Sequence, residues 1–201
     1  PALLTCGIWR DIELTAFDTA RLKDIRIKQT HSARYVSLNI SVAAERISSA
    51  PVSALITVSL SGNTVAKASI PFSGSHVSSN LTISTPALWW PNGMGPQPLY
   101  DVTVDLVDAD DELLDTESKR IGLRRLRLIR KKDKWGESFY FEANGVPFFA
   151  KGANWVPADT FAVRVGSEQY RNLLQSAADT HMNFLRVWGG GYYESDAFYN
   201  T

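Results

Sequence analysis

Between Arg21 and Leu128 apolar and polar residues alternate with a period of two, and no other feature restricts the fold as tightly. Ile25 and Ile27 alternate with Asp24, Arg26 and Lys28. Val36, Leu38, Ile40 and Val42 alternate with Ser37, Asn39 and Ser41. Ile56, Val58 and Leu60 alternate with Thr57 and Ser59, and Tyr100, Val102, Val104 and Leu106 with Asp101, Thr103 and Asp105. Successive side chains of a strand leave opposite faces, so each run carries one apolar and one wet face. Sheets wet on one side are antiparallel ones packed through their other side. Turn signals separate the runs at residues 48–51, at Gly62-Asn63, at Ser73-Gly74 and at residues 108–111. Some seven short strands recurring every ~10–15 residues predict an immunoglobulin-like antiparallel β-sandwich, placed over residues 18–130.

A second pattern begins at Ser138. Phe139-Tyr-Phe-Glu-Ala-Asn144-Gly145-Val-Pro-Phe-Phe-Ala reads as two strands joined at Asn-Gly, the strongest short hairpin signal. Lys151-Gly-Ala-Asn-Trp-Val-Pro157 follows as a strand exit that carries Asn154 and Trp155. Ser167 can cap a helix whose apolar positions Tyr170, Leu173, Leu174, Ala177 and Ala178 recur at helical spacing. Phe184-Leu-Arg-Val187 is a short strand that runs through Trp188 into Gly189-Gly190-Gly191, where backbone can approach a ligand closely. Strand, crossover helix and strand predict a βαβ unit with parallel strands. In α/β sheets and barrels, functional residues gather at the C-terminal strand ends. Asn154-Trp155 and Arg186-x-Trp188 both lie at such ends, and adjacent strands would bring them to one rim.

The remaining stretches carry bland and functional readings side by side. Residues 8–16 form a strand-like run with Ile8, Ile12 and Leu14 on one parity, and residues 1–17 read as the tail of a preceding β domain and a linker. Leu88-Trp-Trp-Pro-Asn-Gly-Met-Gly-Pro-Gln-Pro-Leu99 is a rigid irregular loop. Its Trp89-Trp90 pair is a packing plug or a sugar-stacking platform. The basic stretch 119–134 is a solvated strand face or a contact surface. Its Leu126 and Leu128 alternate with arginines and no aromatic is interleaved before Trp135, which argues against a nucleic-acid patch.

Composition narrows the classes further. The 201 residues carry 21 basic and 21 acidic side chains, so nothing global favours nucleic acid or an anionic membrane. No apolar run reaches the ~18 residues of a membrane-crossing helix. The single Cys6 excludes an internal disulfide. No nucleotide-binding glycine motif is present, and His31, His76 and His181 are scattered, so neither a nucleotide site nor a metal cluster is expected. Asn39-Ile-Ser41 and Asn80-Leu-Thr82 fit the glycosylation triplet, which is common by chance.

Several of these segments together resemble the β-mannosidases of glycoside hydrolase family 2. Gly7-Ile-Trp-Arg10 is similar to the exit from the family's N-terminal sugar-binding β domain, and Trp89-Trp90-Pro-Asn-Gly-Met-Gly-Pro-Gln-Pro-Leu-Tyr100 to its sandwich loop. Arg120-Ile-Gly-Leu-Arg124 resembles the motif that closes the sandwich. The run from Asn144 to Asp159, with Lys151-Gly-Ala-Asn-Trp155, and the run from Met182 to Glu194 resemble the start of the catalytic (β/α)8 barrel. Lys151-Gly-Ala-Asn-Trp155 together with Arg186-Val-Trp-Gly-Gly-Gly191 resembles the mannosidase branch specifically. The tryptophan-rich loop is shared with exo-β-glucosaminidase relatives.

The resemblance implies a mainly β chain, with the sandwich followed by a truncated βαβ start of a TIM barrel over residues 131–201. It implies a retaining exo-β-mannosidase that uses two carboxylates ~5–5.5 Å apart. In the family these are glutamates of later barrel strands, the acid/base in an Asn-Glu pair. No Asn-Glu dipeptide occurs here, so no catalytic residue is assigned and the chain alone is expected to be inactive. Glu194 and Asp196 are the carboxylates nearest the expected rim, and they read as the start of a helix, where acidic side chains meet the dipole. Asn154, Trp155, Arg186, Trp188 and Gly189 are expected to form the substrate-binding wall, with no cofactor. The expected partner is a β-mannoside oligosaccharide or glycan, with neither nucleic acid nor membrane involved. The remaining barrel or another chain is expected to cover the open edges of the βαβ piece. The alternative is a non-catalytic sandwich module that binds carbohydrate or protein, or an exo-β-glucosaminidase-like member of the same family.

Overall fold

The computed structural model describes Gly7, Ile8 and residues 10–201. The readings that rest on Cys6 and Trp9 lie outside the described residues. The chain divides into two compact units. The larger holds Ala16–Trp90 and Met94–Phe148, and the smaller holds Pro1–Thr15, Pro91–Gly93 and Phe149–Thr201.

Seven antiparallel strands build the larger unit: β1 (Ala20–His31), β2 (Tyr35–Arg46), β3 (Ser53–Leu60), β4 (Asn63–Pro71), β5 (His76–Ser84), β6 (Tyr100–Val107) and β7 (Leu113–Ile121). They form two sheets, ordered β1-β2-β5 and β4-β3-β6-β7, the immunoglobulin-like arrangement that the alternation predicts. The inward parity of each run is buried. Leu38, Ile40 and Val42 of β2, Ile56 and Val58 of β3, and Val102, Val104 and Leu106 of β6 are all fully enclosed. Each such side chain contributes roughly 1.5–3 kcal/mol by leaving water. The outward parity makes lateral polar pairs, as where Thr103 and Ser118 hydroxyls meet at 2.9 Å between β6 and β7. Tyr100 opens β6 with its ring buried, and its hydroxyl accepts the Ala87 amide at 2.9 Å, which fastens the incoming loop to the core.

Trp89 acts as a plug in this unit. An added Cβ at Gly122 would lie 2.8 Å from the Trp89 ring, so only glycine lets the ring approach there. The Arg124 guanidinium sits 4.6 Å from the ring centroid, and the Trp89 amide donates to Leu123 O. Trp90 likewise lies against Gly95, and Gln97 donates to its carbonyl.

A three-stranded antiparallel sheet completes the larger unit: β8 (Leu126–Ile129), β9 (Tyr140–Ala143) and β10 (Val146–Phe148), ordered β10-β9-β8. Asn144 and Gly145 make the tight turn with φ of 50° and 89°, the positive values that a type I′ turn needs. Asn144 also ties the hairpin down. Its Oδ1 accepts the Arg125 amide and its Nδ2 donates to Trp89 O, each at 2.9 Å. Residues 131–148, assigned from the sequence to the barrel start, thus cluster with the sandwich. Part of the basic stretch is paired: Arg130 reaches Glu137 at 2.6 Å, and Arg125 and Arg127 flank Glu142 at 4.0 and 3.9 Å.

The smaller unit contains the parallel strands β11 (Gly152–Trp155) and β12 (Phe184–Val187), with helix α1 (Ser167–Asp179) between them and α2 (Asp196–Asn200) after β12. This is the βαβ unit with parallel strands that the sequence predicts. Gly152 faces Phe184 so closely that an added Cβ would collide with the Phe184 carbonyl. Among the described residues the strand-like run at 8–16 has no counterpart. Residues 11–16 are in no strand, and Ile12 and Leu14 are exposed. Their shared parity therefore buries nothing.

Two details of α1 also depart from the expectation. Its N-cap is Gly166, and Ser167 is the first helical residue without a capping bond. Leu173 is 43% exposed, so the buried face runs through Tyr170 and Leu174. At the other end Thr180 is the C-cap and His181 takes φ 62°. The Met182 amide donates to Ala177 O and the His181 amide to Ala178 O, a Schellman stop built without glycine. No helix among the described residues is long and apolar enough to cross a membrane.

Candidate functional site

The entry to both parallel strands is fixed by Asn183. Its Oδ1 accepts the Lys151 amide at 2.9 Å and its Nδ2 donates to Phe149 O at 3.1 Å. Asn92 braces the helix exit by donating to the carbonyls of Ala178 and Met182 at 3.0 Å each. The register this sets pairs Gly152 with Phe184, Asn154 with Arg186 and Trp155 with Val187.

Alternation then sorts the C-terminal ends into two faces. Asn154 and Arg186 share one face and both are exposed; Arg186 Nη1 donates to Asn154 Oδ1 at 3.1 Å. Trp188 follows at the same parity as Arg186 and is 44% exposed. Gly189 has open space around it. The other two glycines have packing reasons. An added Cβ at Gly190 would enter the Trp188 ring, and one at Gly191 would sit 2.6 Å from Pro157.

Trp155 lies on the opposite face. It is 9% exposed and packs with Tyr170 and Phe198, its ring centroid 4.8 Å from that of Phe198. Asn154 and Trp155, expected together on the substrate wall, thus leave β11 on opposite faces, and the tryptophan faces the helices. Leu185 and Val187 pack against the same cluster.

Glu194, read from the sequence as part of a helix start, has a different environment in the structure. Glu194 is the buried charged side chain among the described residues, 2% exposed. Its Oε1 accepts the Trp155 indole N–H at 2.8 Å and its Oε2 accepts the Tyr170 hydroxyl at 2.6 Å. It is therefore not a helix-dipole partner. Asp196 holds that place in the first turn of α2. The Tyr170 phenol is pushed up to about 12, first by burial and then by its hydrogen bond to Glu194. Tyr192 is also raised, by burial and by the nearby Glu194 and Asp159. The signal that could have found Glu194 is the indole itself, since a buried Trp N–H needs an acceptor.

Asp159 is another carboxylate of this unit. Arg164 binds it through Nε at 3.0 Å and Nη2 at 2.7 Å, and the Phe161 amide adds a third bond at 2.8 Å. Those contacts, the Arg164 bond foremost, hold its carboxyl below the usual range. In the larger unit a cavity of about 390 Å³ is lined by His31, Ser32, Ala33, Leu88, Arg125 and Asn144. His31 there is held below its ordinary pKa by burial and then by Arg125. Its lining has no carboxylate, so it lacks the carboxylate pair that works on a glycosidic bond. Among the described residues no cluster of three metal-binding side chains occurs.

An immunoglobulin-like sandwich leading into a βαβ unit with a polar, aromatic strand-end rim is an architecture of multidomain glycoside hydrolases. The family model for glycosyl hydrolases family 2 matches residues 20–124, and the chain belongs to that family. Over its whole length it is 34% identical to β-mannosidase B of Emericella nidulans and 37% identical to β-mannosidase B of Thermothelomyces thermophilus. It covers 24% of each of those proteins. The crystal structure of the β-D-mannosidase of Dictyoglomus thermophilum matches 92% of the chain with a TM-score of 0.86 and 39% identity, over 23% of its own chain. The exo-chitosanase CsxA of Amycolatopsis orientalis shares the fold, with a TM-score of 0.71 and 19% identity over 90% of this chain and 21% of its own. The chain thus spans about a quarter of the length of the curated relatives it matches.

Proposed function

We propose that this chain is part of a retaining exo-β-mannosidase and supplies one wall of the subsite for a terminal β-D-mannose. The observation that carries the reading is the exposed Asn154–Arg186 pair at the ends of two parallel strands, with half-exposed Trp188 next along β12. The amide and guanidinium offer polar groups to sugar hydroxyls. The indole offers an apolar face to sugar C–H bonds. Gly189, with open space around it, allows close approach of backbone to sugar. The relatives named β-mannosidase supply the choice of sugar.

Retaining hydrolysis needs an acid/base carboxyl and a nucleophilic carboxylate on either side of the scissile bond. Asp159 is held by Arg164, and Glu194 is buried with both oxygens bonded. Neither is free for those roles, so the catalytic pair is assigned outside these residues. Arg186, fixed by Asn154, would orient the carboxylates of that pair through charge-assisted hydrogen bonds. Trp155 acts from behind the wall, as packing. The test is titration of the chain with mannose and mannobiose, with glucosamine as comparison, followed by tryptophan fluorescence. Mannose-specific saturation that disappears in Trp188→Ala supports the wall, whereas no response to any of the sugars defeats it. Release of aryl alcohol from an aryl β-mannoside by the pure chain would overturn the assignment of the catalytic pair elsewhere.

A further inference from the structure

We propose that Glu194 is a positioning residue for the rim: it closes the loop after β12 back onto Trp155 and so sets where Trp188 stands. The loop is anchored at both ends on one tryptophan. At its start the Trp188 amide donates to Trp155 O at 2.9 Å. At its end Glu194 Oε1 takes the Trp155 indole N–H at 2.8 Å. Between these anchors the chain has little freedom, because Gly190 lies under the Trp188 ring and Gly191 lies against Pro157. The second oxygen of Glu194 takes the Tyr170 hydroxyl at 2.6 Å, which adds α1 to the same joint.

The residue types suit this role. An indole N–H can only donate, and a carboxylate offers an acceptor to each of its two neighbours. Removing the carboxylate would leave a buried donor without a partner on Trp155 and free the loop's far anchor. The loop would then be held only at its first residue, and the indole of Trp188 would lose its fixed place. The joint thus couples a side chain on the helix-facing side of β11 to an aromatic group on the rim side. The claim that this matters for sugar rests on the mannose-wall reading above. The claim that Glu194 places Trp188 does not.

The experiment uses the whole 15N-labelled chain and its indole N–H resonances, with those of Trp155 and Trp188 assigned from Trp155→Phe and Trp188→Phe. In Glu194→Ala both resonances should shift, and exchange of the Trp155 indole proton should accelerate by tenfold or more. Glu194→Gln should restore both, since its carbonyl can take the indole and its amide can donate to the Tyr170 oxygen. A Trp188 resonance that stays put in Glu194→Ala while that of Trp155 moves would overturn the proposal and leave Glu194 a mere core acceptor. If Glu194→Ala does not fold, Trp155→Phe removes the same anchor from its donor side, and a Trp188 resonance unmoved in that variant overturns the proposal. Mannose titration separates the two claims. A wild-type chain whose Trp188 ignores mannose defeats the sugar reading, while the resonance test still decides the joint. Equal mannose affinity in wild type and Glu194→Ala keeps the wall and removes Glu194 from it.

Discussion

The two units bury their interiors by different means. The sandwich closes on a continuous aliphatic core in which Leu38, Ile40, Ile56, Val104 and Leu106 are fully enclosed by two sheets of the same chain. The βαβ unit has Trp155, Tyr170 and Phe198 as its buried apolar residues among those described, and a carboxylate in the middle of them. Its strands are four residues long, and among the described residues the apolar packing lies on their helix-facing side. An aliphatic core gains by area and tolerates repacking. A small aromatic core tied by directional bonds gains by geometry, and a single misfit undoes it. One unit is built as a scaffold, and the other is built to hold a few groups in place.

The sharpest way to break the contrast is Gly152→Ala. Its Cβ would meet the Phe184 carbonyl, and backbone cannot yield as a flexible side chain can. The β11–β12 pairing should be lost, and with it the hydrogen-exchange protection of the Trp188 amide, while the amides of β2 and β6 keep theirs. Gly189→Ala, with open space around it, should change neither. Intact protection at Trp188 in Gly152→Ala would show that the smaller unit is as adaptable as the larger. Leu38→Ala makes the reciprocal cut. It should cost the sandwich about 2–5 kcal/mol in urea-induced unfolding, with the environment of Trp155 preserved at low denaturant.

The same difference decides what could be read from the sequence. Alternation is a repeated signal, so the strands around Ile25, Leu38, Ile56 and Val104 are legible one by one and the sandwich follows from their spacing, whereas β4 and β5 are not legible individually. The βαβ unit was legible from the helical spacing around Tyr170 and the apolar Phe184-Leu185. In its rim, Asn154 and Trp155 are neighbours in sequence and read as neighbours in function, although strand geometry sends them to opposite faces. Ile8, Ile12 and Leu14 have the right parity for a strand, but they are exposed and no strand among the described residues pairs with them. Glu194 was hidden because its partners lie 39 and 24 residues away. No local pattern marks an acceptor that distant donors require, and Glu194-Ser-Asp196 looks locally like a helix start.

A smaller effect tests whether the sandwich also uses a directional tie. Asn144 holds φ 50° and bonds both Trp89 O and the Arg125 amide. Asn144→Ala should cost about 2–3 kcal/mol, from two lost partners and the cost of a left-handed alanine. Asn144→Gly recovers the conformational part alone, so the difference between the two variants measures the turn and the remainder measures the tie. A remainder near zero would mean that the hairpin needs no tether, and the contrast between the units would sharpen.

The smallest effect appears only in alkali and belongs to the aromatic core. The Tyr170 phenol titrates at about 12 in the fold against 10.0 for an ordinary tyrosine, because burial and then the bond to Glu194 favour the protonated form. Between those two values the unfolded chain releases this proton and the folded chain keeps it. Stability must therefore fall as pH rises across the window, and the contribution is complete below pH 10. Tyr192 and Tyr199 are raised as well, so the total slope is shared among them. The informative quantity is the difference from Tyr170→Phe. At neutral pH that variant should be less stable, since Glu194 Oε2 loses its donor. Above pH 10 its urea midpoint should decline less steeply than that of wild type, so the two curves converge. Parallel curves from pH 9 to 11.5 would mean that Tyr170 titrates as in the unfolded chain, and the buried joint at Glu194 would lose its main electrostatic signature.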